Sequence, residues 1–264
     1  MITAEGFGLK GPRGRVFRDV TFTAPAGSLI AVEGASGSGR TCLLLSLTGR
    51  MRATEGRAEV AGLRLPGQLA AVRRVAALGP VAGVSELDPA LTVGEHLRER
   101  VLLQRRFGGP LRELLRRPGG TGGARVDEAL ATAGLDLSAL PKAERTAARD
   151  LERLEALRLG TALALLARPE VLAVDDTDHK LAPAERERAW AMLRGVAANG
   201  TTVLAVCTEA PQGAVVVRTQ PPAADGEATG GAAAESGAGH GTGHDEDTTD
   251  EEGAADAHAA AGSA

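Results

Sequence analysis

Cysteine is scarce. Cys42 and Cys207 stand alone, with neither the spacing of a metal site nor that of a redox motif, which fits a reducing cytosol. Long hydrophobic runs are missing too. No stretch reaches the roughly 18 apolar residues that a membrane span needs, and the apolar segment from Thr161 to Ala167 is stopped by Arg168. The N-terminus has no basic start followed by an apolar run, so no secretory signal is expected. No internal repeat is visible. A soluble, cytoplasmic protein is the expectation. Lysine is nearly absent as well, with three (Lys10, Lys142, Lys180) against 27 arginines.

The sharpest absence lies at the end of the chain. From Thr219 to Ala264 there is no Lys, no Arg and no aromatic residue, while ten acids and three of the five histidines sit among Gly, Ala, Thr and Ser. Such a segment cannot bury enough apolar surface to offset its chain entropy, and disorder is expected for 219–264. Removing its ten acids from the 34 of the chain leaves 24 against 30 basic residues, so residues 1–218 carry about +6 while the whole chain carries −4. His240 and His244 beside Asp245, Glu246 and Asp247 have suitable chemistry for a weak divalent-metal site, but a flexible site bears the full cost of ordering. A solubilising tail, or one folding back on a basic stretch, is the favoured reading.

What is present is organised around Gly34-Ala35-Ser36-Gly37-Ser38-Gly39-Arg40-Thr41. The apolar run Leu29–Val32 before it reads as a buried strand, and Cys42–Leu47 after it is rich in helix formers. Strand, glycine-rich turn and helix form the context of a P-loop, in which backbone N–H groups and the positive end of a helix surround phosphate oxygens. Thr41 supplies the hydroxyl that faces Mg²⁺ in such a loop. One position departs from the motif, because its lysine is Arg40 here. A planar guanidinium is not a conservative replacement for a compact ammonium in a tight phosphate site.

Along the rest of the chain, residues 15–33 alternate apolar and polar positions around a turn at Pro25-Ala26-Gly27, and Arg57 to Leu65 reads as a strand pair broken at Gly62. Val75 to Leu78 is a further strand. From Thr92 the pattern is helical, with Asp88-Pro89 ahead of it. Eight arginines lie between Arg98 and Arg125 around Phe107, which invites a nucleic-acid reading. No recognised nucleic-acid module accompanies them, so that partner is disfavoured against a solvated face or a surface meeting an acidic or membrane-embedded partner. Pro118 to Gly123 reads as a flexible break, and Val126–Ala133 and Leu151–Leu166 as helices. Val171-Leu172-Ala173-Val174 followed by Asp175-Asp176 describes a buried parallel strand with acids at its C-terminal end, where α/β proteins place ligands. A helix over Pro183–Ala198, a strand over Thr202–Cys207 and a short β-branched run at Ala214–Val217 complete an α/β chain.

Three anchors then carry a resemblance: the loop at 34–41, the segment Ala162–Leu172 running into Asp175, and Leu87–Leu97 opening the helical part. Together they resemble the ATP-binding subunit of ABC transporters over about residues 5–218. The resemblance implies a P-loop NTPase core of ABC ATPase type over 1–218, with an antiparallel β subdomain and a helical subdomain at about 90–158. It implies ATP and Mg²⁺ as cofactors. Gly34, Ser36, Gly37, Ser38, Gly39, Arg40, Thr41 and Cys42 would hold the nucleotide, Thr41 and Asp175 the metal, and Asp176 would stand for the catalytic glutamate, one methylene shorter. Other family residues are replaced. Leu151-Glu152-Arg153-Leu154-Glu155 stands where the Leu-Ser-Gly-Gly-Gln signature is expected, Pro80 replaces the glutamine after the strand at Val75, Thr208 replaces the histidine after the last core strand, and Cys42 replaces the second loop hydroxyl. No aromatic stands near Gly11-Pro12 to stack adenine, and Phe7 is a remote substitute that fits a core position better.

The expected function is therefore a nucleotide-binding subunit with weak or absent hydrolysis. It would dock on an integral membrane transporter subunit as a homodimer or as a heterodimer with another ABC ATPase subunit, peripheral at the inner face of the membrane. The alternative is a pseudo-ATPase scaffold that binds no nucleotide and docks through Arg98–Arg125.

Overall fold

Strand alternation decides the layering. In a strand buried on both faces, successive side chains feed opposite layers, so a run of small and branched apolar residues serves two cores at once. In the computed structural model, which describes residues 1–12, 14–107 and 121–219, β3 (Leu29–Glu33), β7 (Val171–Val174) and β8 (Thr202–Cys207) do this. Leu29 and Ala31, Leu172 and Val174, and Val203 and Ala205 enter one core; Ile30 and Val32, Val171 and Ala173, and Leu204 and Val206 enter the other.

These strands belong to a five-stranded sheet of order β6-β7-β8-β3-β9, completed by β6 (Ala76–Leu78) and β9 (Val215–Arg218). Its pairings are parallel throughout. A second, antiparallel sheet has the order β2-β1-β4-β5, from β1 (Ile2–Gly11), β2 (Gly14–Ala24), β4 (Glu55–Val60) and β5 (Leu63–Leu65). Its core shares Ile2, Phe7, Phe17 and Val60 with Leu43, Leu44 and Leu47 of α1 (Arg40–Leu47) and with Val72 of α2 (Leu69–Val75). The other core lies among α3 (Val93–Phe107), α4 (Thr121–Thr132), α5 (Arg153–Leu165) and α6 (Pro183–Ala198), with Trp190 fully packed inside it. Fully burying a leucine side chain is worth about 1.5–3 kcal/mol, and α1 alone places three at the centre of its layer.

The α/β expectation holds, with the antiparallel sheet at the front of the chain. Three elements differ from the sequence reading. β1 begins at Ile2, ahead of the alternating stretch. Leu69–Val75 is helical, so the strand expected from Val75 starts at Ala76. Thr121, Gly122 and Gly123, expected in a flexible break, form the first turn of α4, whose apolar face buries Ala129 and Leu130. The rest of that break, the arginines at 112, 116 and 117, and the acidic segment from 220 lie outside the described residues.

Candidate functional site

Residues 34–42 run from the end of β3 into α1, and glycine conformations make the turn. Gly37 and Gly39 have φ of 80° and 82°, a region that side-chain-bearing residues rarely adopt. At Gly37 a Cβ would meet nothing within 4 Å, so this backbone faces open space. At Gly39 a Cβ would sit 2.3 Å from the Val16 carbonyl oxygen, so only glycine lets β2 pass beside the helix start. Gly34 is walled in differently, with Thr219 Oγ1 at 2.5 Å and Ser38 Oγ at 2.6 Å from an added Cβ. Ala35, Ser36 and Gly37 are exposed, whereas Ser38 is fully buried and its hydroxyl lies 2.7 Å from Thr219 Oγ1. The Ser38 side chain is thus turned inward, away from the open face of the loop.

Across the sheet, β7 delivers Asp175. Thr41 Oγ1 donates a 2.7 Å hydrogen bond to Asp175 Oδ2, and the Asp176 N–H donates to Asp175 Oδ1 at 3.0 Å. Burial pushes the Asp175 carboxyl above the ordinary carboxylate range; the bond from Thr41 opposes this and the neighbouring Asp176 adds to it. The Cys42 thiol is also raised, first by burial and then by Asp175, and so stays protonated where a hydroxyl was expected. Arg40 is held rather than free: its Nη1 donates to the Cys207 carbonyl at 2.6 Å, tying the start of α1 to the end of β8. Cys207 itself is buried and its thiol is pushed up to about 12, by burial first and by Asp178 and Glu33 after it.

The residues around this cradle satisfy one another. The start of α5 carries two carboxylates, Glu152 ahead of the helix and Glu155 in its first turn, and Glu155 Oε2 accepts the Glu152 N–H at 2.9 Å. Arg153 donates to the carbonyls of Asp176 at 3.2 Å and His179 at 3.4 Å. Asp176 has φ of 46°, a left-handed conformation that aspartate tolerates. Pro80 lies against Gly160 of α5, where an added Cβ would be 2.4 Å from the proline Cγ. Asp178 is buried and accepts the N–H groups of Thr208 at 2.8 Å and Glu209 at 3.1 Å. Phe7 is fully buried, its ring centroid 6.0 Å from that of Phe17, and offers no face to a base.

Of the residues expected from sequence, Thr41 and Asp175 meet directly, Asp176 joins them through its backbone N–H, and Arg40 is anchored to Cys207. Thr219, Arg153 and Asp178 escaped sequence reasoning. Composition placed Thr219 at the start of the tail; the signal that could have claimed it for the fold is the β-branched run Val215–Val217 directly before it. Thr41 and Asp175 present two hard oxygen donors, the type that Mg²⁺ takes alongside phosphate and water oxygens, and in this they fit that ion. Among the described residues no cluster of three or more His, Cys, Asp or Glu could hold a metal unaided, and no helix is long and apolar enough to cross a membrane.

Known proteins are similar to this chain. A family model described as ABC transporter matches residues 17–179, well over half of the chain. Nod factor export ATP-binding protein I of Rhizobium johnstonii is 29% identical over 189 residues, covering 72% of this chain and 55% of that protein. Cytochrome c biogenesis ATP-binding export protein CcmA of Agrobacterium fabrum is 30% identical over 134 residues, covering 51% of this chain and 56% of that one. The chain thus spans little more than half the length of these relatives. Among solved structures, the dimeric bacterial ABC transporter cassette MJ0796 superposes with a TM-score of 0.61 at 20% identity, covering 79% of this chain and 88% of the cassette. The fold is that of an ABC ATPase.

Proposed function

The chain belongs to the ABC transporter family, and from that premise we propose that it is the ATP-binding subunit of an ABC-type transporter, holding Mg·ATP but hydrolysing it slowly or not at all. Gly34, Ser36, Gly37 and Gly39 shape the backbone cradle for phosphate, Ser38 braces it from below, and Arg40 and Cys42 flank it. Thr41 and Asp175 would hold Mg²⁺, which supplies charge neutralisation at the phosphate oxygens. Asp176 is the carboxylate closest in sequence to the reacting end, its backbone fixed by Arg153.

The observation that carries the reading is a contrast within one site. The loop and the Thr41–Asp175 pair are kept, while the groups that would act on a terminal phosphate are absent or occupied. The N-terminus of α5 carries the carboxylates of Glu152 and Glu155, which would repel a phosphate, Pro80 has no side-chain donor, and Thr208 is tied back to Asp178. Losing a positioned acid or base typically costs 10²–10⁴ in rate, and such losses do not add simply. As a subunit of this kind it acts in the cytoplasm, peripheral to the membrane, with an integral membrane transporter subunit as partner and a second ATPase subunit, identical or related, as its pair.

Calorimetric titration of the full chain with Mg·ATP tests this. Micromolar binding that Asp175→Asn weakens strongly is the expected result. Turnover at the rate of an ordinary family member, abolished by Asp175→Asn, would refute the slow-hydrolysis part. A second reading, a scaffold that binds no nucleotide, is favoured by one observation, the commitment of Arg40 to the Cys207 carbonyl. Absence of binding heat at any accessible concentration would make that reading the better one.

A further inference from the structure

β9 runs parallel to β3, with Glu33 beside Arg218 as the last pair of the register. One residue further on, the chain must pass the point where β3 gives way to the phosphate loop, and Thr219 stands there. Its N–H donates to the Glu33 carbonyl at 3.0 Å, its hydroxyl lies 3.5 Å from the same oxygen, and that hydroxyl is 2.7 Å from Ser38 Oγ. Both hydroxyls are out of water: Ser38 is 0% and Thr219 5% exposed. The Ser38 N–H closes a turn on the Ala35 carbonyl at 3.1 Å, so the inner side of residues 35–38 is fixed at two points, its own turn and Thr219.

We infer that Thr219 is a positioning residue for the phosphate loop, setting through Ser38 the direction in which the backbone N–H groups of residues 35–40 point. The inference deepens the proposed nucleotide site and rests on that reading for its ligand. The physical argument is one of rigidity. A loop with two left-handed glycines has little conformational preference of its own, and glycine loses more freedom on ordering than any other residue. A cradle of N–H groups attracts phosphate strongly only if it is already ordered when phosphate arrives. The buried Ser38–Thr219 hydrogen bond supplies that order from a strand distant in sequence, and it accounts for Gly34, because any side chain there would collide with both hydroxyls. Thr219 itself touches no phosphate. Its effect runs wholly through Ser38 and Gly34.

Four full-length proteins decide the matter: Thr219→Val, which keeps the shape and deletes the hydroxyl; Thr219→Ser, which keeps the hydroxyl; Ser38→Ala; and the double variant Ser38→Ala/Thr219→Val. Thr219→Val should weaken Mg·ATP binding about tenfold by calorimetry, with Thr219→Ser within twofold of the parent. A stranded Ser38 hydroxyl also lowers the melting temperature of Thr219→Val, and the double variant removes that orphan and recovers stability. A positioning role predicts that its nucleotide affinity stays low all the same; recovery of affinity together with stability would reduce Thr219 to a packing residue and overturn the inference. If the parent binds no Mg·ATP, the proposed function fails while the inference is judged by amide hydrogen exchange of the free protein. Residues 35–40 should then exchange faster in Thr219→Val and not in Thr219→Ser, and unchanged exchange would overturn it.

Discussion

The start of α1 and the start of α5 are both helix beginnings beside the C-terminal edge of the parallel sheet, and they differ in the charge that stands at their free N–H groups. At α1 the residue ahead of the helix is Gly39, which has no side chain to cap it, and the exposed turn from Ala35 to Gly37 leaves the helix start open. At α5 the residue ahead is Glu152, whose N–H is bonded to Glu155 Oε2, so two carboxylates stand at the helix start. An open helix N-terminus is a ready anion site, and one carrying two carboxylates repels anions. The comparison teaches that one helix start in this site is open to an anion while the other already holds negative charge of its own.

Breaking the open end should have the largest effect. Gly39→Ala forces an L-residue to φ near 82° and drives a methyl into the Val16 carbonyl; we expect a loss of about 3 kcal/mol or more in urea unfolding and no measurable Mg·ATP binding. Releasing the cation is next. Arg40→Lys gives up the bond to Cys207 and returns a compact charge to the loop, so Mg·ATP should bind about five- to tenfold more tightly in calorimetry. Asp175→Asn sharpens the electrostatics. Because burial raises the Asp175 carboxyl above its unfolded value, the parent loses stability as pH rises from the unfolded value of about 4 through the folded one. The asparagine variant should melt above the parent at pH 7, by a few degrees, and the advantage should shrink as pH falls towards 4. Smallest is the carboxylate-bearing end: Glu152→Ser with Glu155→Gln gives α5 a Ser-x-x-Gln capping box, so stability should rise by about 0.5 kcal/mol. ATP turnover should stay near background because Pro80 and Thr208 remain.

Much of this molecule was legible in its sequence because its strongest signals are local. The Pro183–Ala198 helix and the Thr202–Cys207 strand fall where periodicity and stop signals put them, since proline, glycine and unbroken apolar runs act within a few residues. Legibility failed where tertiary context decides. The stretch Leu69–Val75 is short and carries two arginines, and it is helical because Val72 packs under the antiparallel sheet. In the site, spacing located Thr41 and Asp175, but nothing local to either showed that Arg40 reaches a strand 167 residues away or that Thr219 belongs to the loop. Those contacts join distant segments, and only the sheet order brings them together.

Pro80 and Gly160 constrain one another. The proline ring occupies the notch left by a missing side chain in the middle of α5, a place where glycine costs a helix roughly 1 kcal/mol relative to alanine. Neither position can drift alone. An alanine at 160 collides with the ring, and a smaller or straighter side chain at 80 leaves a void over the helix. The two should therefore vary together among this chain's kin, because a change at either one alone meets a collision or leaves a void.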